Sequence, residues 1–139
     1  DTEVAPFDQY NRLKGKITDL FGLSDAAAAV IFFCNPCTMQ IILSHFDKVS
    51  LRSNQKSANR STIERITSVK DYRATEQQRT AIAKKITPEN YVFLKDNLKR
   101  LSSNYNEAPS TNFLQLLSYL ESNDTGWINT LSKLLDSED

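Results

Sequence analysis

The stretch that decides the fold class is TPENYVFLKDNLKRL, residues 87–101. Thr87 offers a capping hydroxyl, Pro88 suits the first helical position, and Glu89 places an acid in the positive first turn of a helix. The apolar residues that follow recur at helical spacing and predict one buried stripe: Tyr91, Leu94, Leu98 and Leu101. The stretch therefore predicts an amphipathic helix packed against other elements.

Two similar start signals precede it. The motif TEQQ at residues 75–78 has the form of a capping box, in which two side chains reciprocally satisfy free backbone amides, and it predicts a helix to about Ile86. The motif STIE at residues 61–64 has the same form and predicts a helix to about Tyr72. Both signals add helices to the middle of the chain.

A helix is also predicted downstream, after a loop over residues 103–109. Ser110 is predicted to cap it, and its apolar residues recur at i, i+3, i+4 and i+7: Phe113, Leu116, Leu117 and Leu120. Residues 123–126 (NDTG) end this helix, and a last stripe follows them: Trp127, Leu131, Leu134 and Leu135. The core predicted for this half is Leu94, Leu98, Phe113, Leu117, Leu120, Trp127 and Leu131.

The N-terminal half adds three segments. Residues 8–20 carry an apolar face that predicts a helix. Residues 26–34 are apolar on every side and predict a buried helix, with a buried strand as the alternative. Pro36 ends that segment because proline has no amide to donate, and a third helix is predicted to about Lys48. The polar, aperiodic residues 49–60 predict a mobile loop.

Composition agrees with a helical domain. A chain of 139 residues is the size of one compact domain, and three Gly and four Pro are few for a protein built from many short strands. We therefore predict an all-α fold, a compact bundle of six to seven helices in a single domain over 1–139. Residues 1–48 are predicted as an N-terminal helical arm or partial domain, and residues 61–139 as the main bundle.

The net charge is zero, but the charges are unevenly divided. Residues 48–100 carry thirteen basic and five acidic side chains, residues 1–47 carry three and six, and residues 101–139 carry one and six. A basic middle between acidic ends indicates complementary patches or a phosphate-facing stretch, although solvated helix faces explain the same pattern. Nucleic-acid binding is not favoured, since only Tyr72 is interleaved among the basic residues.

Cys34 and Cys37, in the motif CNPC, are the strongest candidates for chemistry. Two thiols at this spacing before a helix can form a redox pair. Residues 30–39 resemble the active-site segment of thioredoxins, and this resemblance implies a thiol oxidoreductase that uses the two cysteines. The alternative is a pair of buried thiols beside a helix break.

Other parts of the chain depart from the thioredoxin pattern. That family needs several apolar strands, whereas residues 49–85 are polar and begin helices. Pro88, the candidate for the family's cis-proline, has helix-start residues after it rather than a strand. Phe33 stands where a tryptophan usually precedes the first cysteine. The oxidoreductase is therefore the third of three functional hypotheses.

No cofactor or metal is predicted. The single histidine, His45, has no Cys or His at the spacing of metal ligands. The chain contains no glycine-rich phosphate loop, no nucleophile elbow and no distinctive pair of carboxylates. Its longest apolar run, residues 26–34, is too short to span a bilayer. We therefore predict a protein that is not an enzyme, with no small-molecule substrate and no membrane partner.

One family resemblance lies near the C-terminus. FLQLLSYL at residues 113–120, followed by GWINTL at residues 126–131, resembles the caspase-recruitment domains of the cytosolic viral-RNA sensors and their mitochondrial adaptor. In those domains a leucine-rich helix ends in a short polar turn, and Gly-Trp starts the next helix. The helix start at residues 86–89 is similar to that family's preceding helix. The resemblance covers about residues 62–139 and implies a death-fold bundle.

The resemblance implies a cytoplasmic adaptor of innate-immune signalling that works by homotypic assembly. Death-fold domains stack through oppositely charged surfaces, so the partner would be a like domain or another copy of this chain. Interface residues are predicted from charge alone: Arg65, Arg73, Lys84 and Lys85 against Glu121, Asp124 and Asp136.

The alternative function is that of a secreted or periplasmic helical binding protein, such as an inhibitor or immunity protein. In that case Cys34 and Cys37 would be oxidised. Two cysteines are few for a secreted chain and favour a reducing compartment, whereas two glycosylation sequons, at Asn59 and Asn123, keep secretion open.

Overall fold

The computed structural model of the chain describes residues 6–21, 31–47, 49, 51, 54–123, 125, 126, 128, 129 and 132. Six helices and one pair of short strands lie within these residues: α1 Pro6–Phe21, β1 Cys34–Asn35, α2 Met39–Ser44, α3 Lys56–Thr67, α4 Glu76–Ala83, α5 Asn90–Leu98, β2 Ser110–Thr111 and α6 Phe113–Ser122. Helix dominates, so the coarse all-α prediction is confirmed. The predictions for residues 22–30, Asp124, Trp127, Leu131 and Asp136 lie outside the described residues.

Two clusters of buried side chains form the core. The larger joins α2, α3, α4 and their connections: Cys37, Met39, Leu43, Val49, Leu51, Ile63, Tyr72 and Ile82. The smaller joins α5 and α6: Leu94, Leu98 and Leu117. Helix α2 contacts both, since Ile42 packs against the larger cluster and Ile41 against the smaller one. The two clusters therefore share α2 as a common wall.

Side-chain amides fasten α5 to the end of α2. Asn97 donates from Nδ2 to the carbonyl oxygens of Ser44, at 2.9 Å, and Phe46, at 3.1 Å. Asn90 donates to the carbonyl of His45 at 2.9 Å. The last carbonyls of a helix have no partner within the helix, and α5 supplies partners for those of α2.

The strands β1 and β2 pair antiparallel, with Cys34 opposite Thr111 and Asn35 opposite Ser110. The side chain of Asn112 extends the pairing, because it accepts from the amide of Phe33 at 2.9 Å and donates to the carbonyl of Ile31 at 2.8 Å. Residues 31–35 are thus held against residues 110–112 by both backbone and side-chain bonds.

The helix predicted over residues 26–34 is wrong at its described end. Residues 31–33 form no helix, and Cys34 begins β1, which supports the alternative of a buried strand at this point. The cause is tertiary: backbone groups that would bond within a helix find partners across the chain instead. The third helix, α2, is also shorter than predicted, since it ends at Ser44 rather than near Lys48.

The predicted loop over 49–60 is wrong in two respects. Residues 56–60 belong to α3, and Val49 and Leu51 are buried in the larger cluster. Ser61 therefore lies inside α3 and does not cap it. The helix ends at Thr67 rather than near Tyr72. The next residue, Ser68, takes a left-handed backbone conformation with a φ of 58°, which ends the helix.

The other start signals had mixed outcomes. The capping box at residues 75–78 is confirmed, with both reciprocal bonds present, although α4 ends at Ala83. Ser110 does not cap α6, because it lies buried in β2 and its hydroxyl donates to the carbonyl of Glu107 at 2.6 Å. The break predicted at residues 123–126 is confirmed at Asn123, which has a φ of 53°.

Some apolar stripes face solvent. Helix α1 spans the predicted residues, yet Leu13 and Leu20 on its apolar face are 48% and 72% exposed. Leu120, predicted as core, is 58% exposed. Leu94, Leu98 and Leu117 are buried as predicted. The prediction of Leu120 as core is therefore wrong, because helical spacing shows which residues share a face and not whether another element covers that face.

Candidate functional site

Cys34 lies in β1, and Cys37 lies in the connection between β1 and α2. Both thiols are free and buried. The sulfur of Cys34 lies 3.6 Å from the hydroxyl oxygen of Thr111. Burial raises the pKa of the Cys34 thiol, and the hydrogen bond with Thr111 offsets part of that rise. Because the thiolate is the reactive form, this environment favours an unreactive, protonated Cys34.

Cys37 is held from the other side by α3. Asn59 donates from Nδ2 to the sulfur of Cys37 at 3.6 Å and is 2% exposed. A glycan on this nitrogen is incompatible with such packing. Asn59, which was noted in the sequence as a glycosylation site, therefore serves the core in this fold.

A cavity of about 220 Å³ opens beside Cys37. Buried side chains of Cys37, Met39 and Tyr72 form its inner wall. The other lining residues are Thr38, Lys56, Arg60, Arg73 and Ala74. Three of these carry a positive charge, and none of the described lining residues is acidic. We call this cavity the basic pocket.

Helical spacing places two of the three cations together. Lys56 and Arg60 are one turn apart at the start of α3, so their side chains lie on the same face of the helix. Asn59 and Ile63 on that helix are buried, which fixes the rotation of α3 about its axis. The cations therefore flank the buried face and reach the rim of the pocket.

The third cation is positioned by the connection between α3 and α4. Glu64 on α3 accepts from the amide of Tyr72 at 2.8 Å. Gln78 on α4 accepts from the amide of Arg73 at 2.8 Å and donates to the carbonyls of Lys70 and Asp71, both at 3.1 Å. Side chains from both helices thus hold the backbone that carries Arg73.

The structure brings together only part of the predicted basic interface. Arg73 lies at the basic pocket with Lys56 and Arg60, neither of which belongs to the predicted interface. Lys84 and Lys85 lie together on an exposed surface of α4 and the turn after it. Arg65 is exposed on α3 and lines neither surface.

The predicted acidic side of the interface is partly engaged within the chain. Glu121 accepts from the amine of Lys95, with both oxygens at 2.8 Å, and from the hydroxyl of Tyr91 at 2.9 Å. These bonds, that of Lys95 first, lower the pKa of Glu121. Glu121 is therefore already paired with a cation of its own chain.

Lys56 was missed, and Arg60 was counted only among the cations for nucleic-acid binding, because residues 49–60 were interpreted as a loop. The spacing in this segment matches a helix whose inner face carries Asn59 and Ile63, one polar and one apolar residue. Lys56 and Arg60 lie beside that face. An asparagine in the inner position hid this signal, because asparagine favours turns. Tyr72 was noted only as the aromatic residue among the cations, and its place in the pocket wall depends on the core.

His45 directly follows α2, and its Nδ1 lies 2.8 Å from the carbonyl of Ile41. Across the described parts of the chain, no group of three or more His, Cys, Asp or Glu side chains could hold a metal ion. In the same residues, no helix combines the length and apolar character needed to cross a membrane.

Comparison of this chain with protein families, with curated proteins and with solved structures finds no match.

Proposed function

We propose that the chain is a non-enzymatic protein-interaction module that assembles with like copies through the basic surface of residues 56–85. One observation supports this function: most cations of this surface form no ion pair with the described residues. Residues 56–85 carry eight basic and three acidic side chains. Seven of the basic ones form no ion pair in the described part of the chain: Arg60, Arg65, Lys70, Arg73, Arg79, Lys84 and Lys85.

Charge complementarity favours a second copy as the partner. An isolated surface charge contributes little to folding, whereas a surface of one sign attracts and orients a surface of the other. The acidic residues are in excess in residues 1–47 and 101–139, and the whole chain is neutral. Two copies can therefore associate without net repulsion. The resemblance to caspase-recruitment domains implies the same mode of assembly.

Sedimentation velocity over a concentration series tests this proposal. We expect oligomers at low salt that dissociate at high salt, because screening weakens the attraction between exposed charges. The triple variant Arg65→Glu, Lys84→Glu, Lys85→Glu should remain monomeric at low salt. The matched control reverses three cations of α1 instead: Arg12→Glu, Lys14→Glu and Lys16→Glu.

The control should assemble like the unmodified chain. A protein that stays monomeric at every concentration at low salt would contradict homotypic assembly. Equal dissociation of both triple variants would show that net charge, rather than the surface of residues 56–85, governs association.

A thiol oxidoreductase is the second candidate, and the order of elements favours it. Cys34 lies in a strand and Cys37 precedes a helix, which is the arrangement that the thioredoxin resemblance implies. The burial of both thiols and the raised pKa of Cys34 weigh against it. Reduction of insulin disulfides by the pure chain, lost on Cys34→Ser, would support this candidate, and absence of that activity would remove it.

A further inference from the structure

We propose that the basic pocket binds a phosphate dianion, either free or as the monoester of a small molecule. The inference goes beyond the proposed function, because a cavity of about 220 Å³ admits one small anionic group rather than the surface of a partner. It stands whether or not copies of the chain associate.

The polar side chains of the pocket are mostly donors. Lys56, Arg60 and Arg73 carry donors and no acceptor, and a guanidinium group matches two phosphate oxygens at once. Thr38 adds a hydroxyl at the rim. The described lining contains no carboxylate, so an anion that enters meets hydrogen-bond donors and the positive charge of Arg60 and Arg73.

Tyr72 supplies a further donor from the inner wall. Its side chain is 5% exposed, and burial raises the pKa of the phenol, while the nearby charge of Arg79 lowers it in part. The hydroxyl therefore stays protonated at neutral pH and can donate to an oxyanion. Three parts of the chain thus bring donors to one cavity: Thr38 before α2, the first turns of α3, and the α3–α4 connection.

Part of the pocket is fixed before a ligand arrives. Side chains from both helices hold the backbone that carries Arg73, so binding does not have to order that backbone. A ligand bound by a preorganised site loses less affinity to ordering of the protein.

The size and the inner wall limit the ligand class. Pockets for drug-sized ligands range from about 300 to 1,000 Å³, so this cavity suits a phosphate with a small organic group rather than a nucleotide. Met39 and Cys37 make part of the wall apolar. That wall can contact the carbon atoms of an ester, which inorganic phosphate lacks.

Titration of the isotope-labelled chain with inorganic phosphate and with phenyl phosphate, followed by amide chemical shifts, tests the inference. We expect saturable shifts at residues 37–39, 56–60 and 72–74, and none with acetate at the same ionic strength. Tighter binding of phenyl phosphate would identify an ester as the ligand, and tighter binding of inorganic phosphate would identify the free anion.

Two variants and a matched control separate the pocket from general charge. Arg60→Gln and Arg73→Gln should each weaken phosphate binding about tenfold or more, as expected for loss of a charge-assisted hydrogen bond. Arg65→Gln removes an exposed cation from the same helix as Arg60. Because Arg65 does not line the pocket, this variant should change the affinity for phosphate by less than about twofold. Arg73 lies outside the helices, so its variant keeps the test valid if Arg60→Gln fails to fold.

Shifts that do not saturate, or that spread over all cations of the chain, would overturn the inference. So would equal losses of affinity in Arg65→Gln and Arg73→Gln. A chain that binds phosphate but does not self-associate would remove the proposed function and leave the pocket. A chain that self-associates but shows no saturable shift would remove the phosphate site and leave the proposed function.

Discussion

Buried asparagine side chains connect segments that lie far apart in the sequence. Asn35 donates to the carbonyls of Tyr105 and Glu107 in the loop before β2, and Asn97 joins α5 to the end of α2. Removing the partner of a buried polar group costs about 1–3 kcal/mol. None of these asparagines was predicted as core, because asparagine by type indicates turns and caps.

The immediate surroundings of each cysteine also decide how fast its thiol reacts. We predict that both native thiols react with a disulfide reagent far more slowly than the unfolded chain does at neutral pH, because both are buried. The native rate of Cys34 should rise only well above the ordinary thiol pKa of about 8.5, since burial raises the pKa of this thiol and the thiolate is the nucleophile.

Stopped-flow absorbance measures these rates, and Cys37→Ser isolates the signal of Cys34. A native rate at neutral pH that matches the unfolded chain would contradict the prediction. Such a rate would indicate an accessible, activated thiol and favour the oxidoreductase.

Among the helices, two sequence signals of the same form had different outcomes. The capping box at residues 75–78 starts α4, whereas the motif at residues 61–64 lies inside α3. The difference lies in what precedes each motif. Asn59 is buried against Cys37, so packing extends α3 toward its N-terminus, while Arg73 and Ala74 before α4 are exposed. A local signal holds where no tertiary contact overrides it.

We predict that Thr75→Ala destabilises the protein by about 0.5–2 kcal/mol, the usual cost of losing a capping hydroxyl. Thr75 accepts from the amide of Gln78 at 3.3 Å. Thr80→Ala, on the exposed part of the same helix, is the matched control and should be neutral or slightly stabilising. Urea unfolding measures both. Equal destabilisation of the two variants would contradict the capping role.

Across the whole molecule, α2 couples the two core clusters. Ile41 and Ile42 on α2 pack against different clusters, and Leu101 packs against both. Loss of packing in one cluster should therefore weaken the other, so that the protein unfolds in one transition.

We predict that Leu43→Ala, at a fully buried position of α2, lowers the free energy of unfolding by about 2–5 kcal/mol, because the lost methyl groups leave a cavity. Circular dichroism and methyl signals from Leu98 and Ile63, one in each cluster, should report the same midpoint. Leu120→Ala, at an exposed site, should stay within about 0.5 kcal/mol of the unmodified protein. Two separate midpoints would contradict the coupling.

Helical character, the start of α4, the break at Asn123 and the buried positions Leu94, Leu98 and Leu117 could be read from neighbouring residues, because caps and helical periodicity act over a few positions of the chain. The pairing of Cys34 with Thr111, the exposure of Leu13 and Leu120, and the basic pocket could not. Each depends on which segments meet in space. The burial of a residue and the charges around it depend on how distant segments pack together, and no local pattern of residue types records that packing.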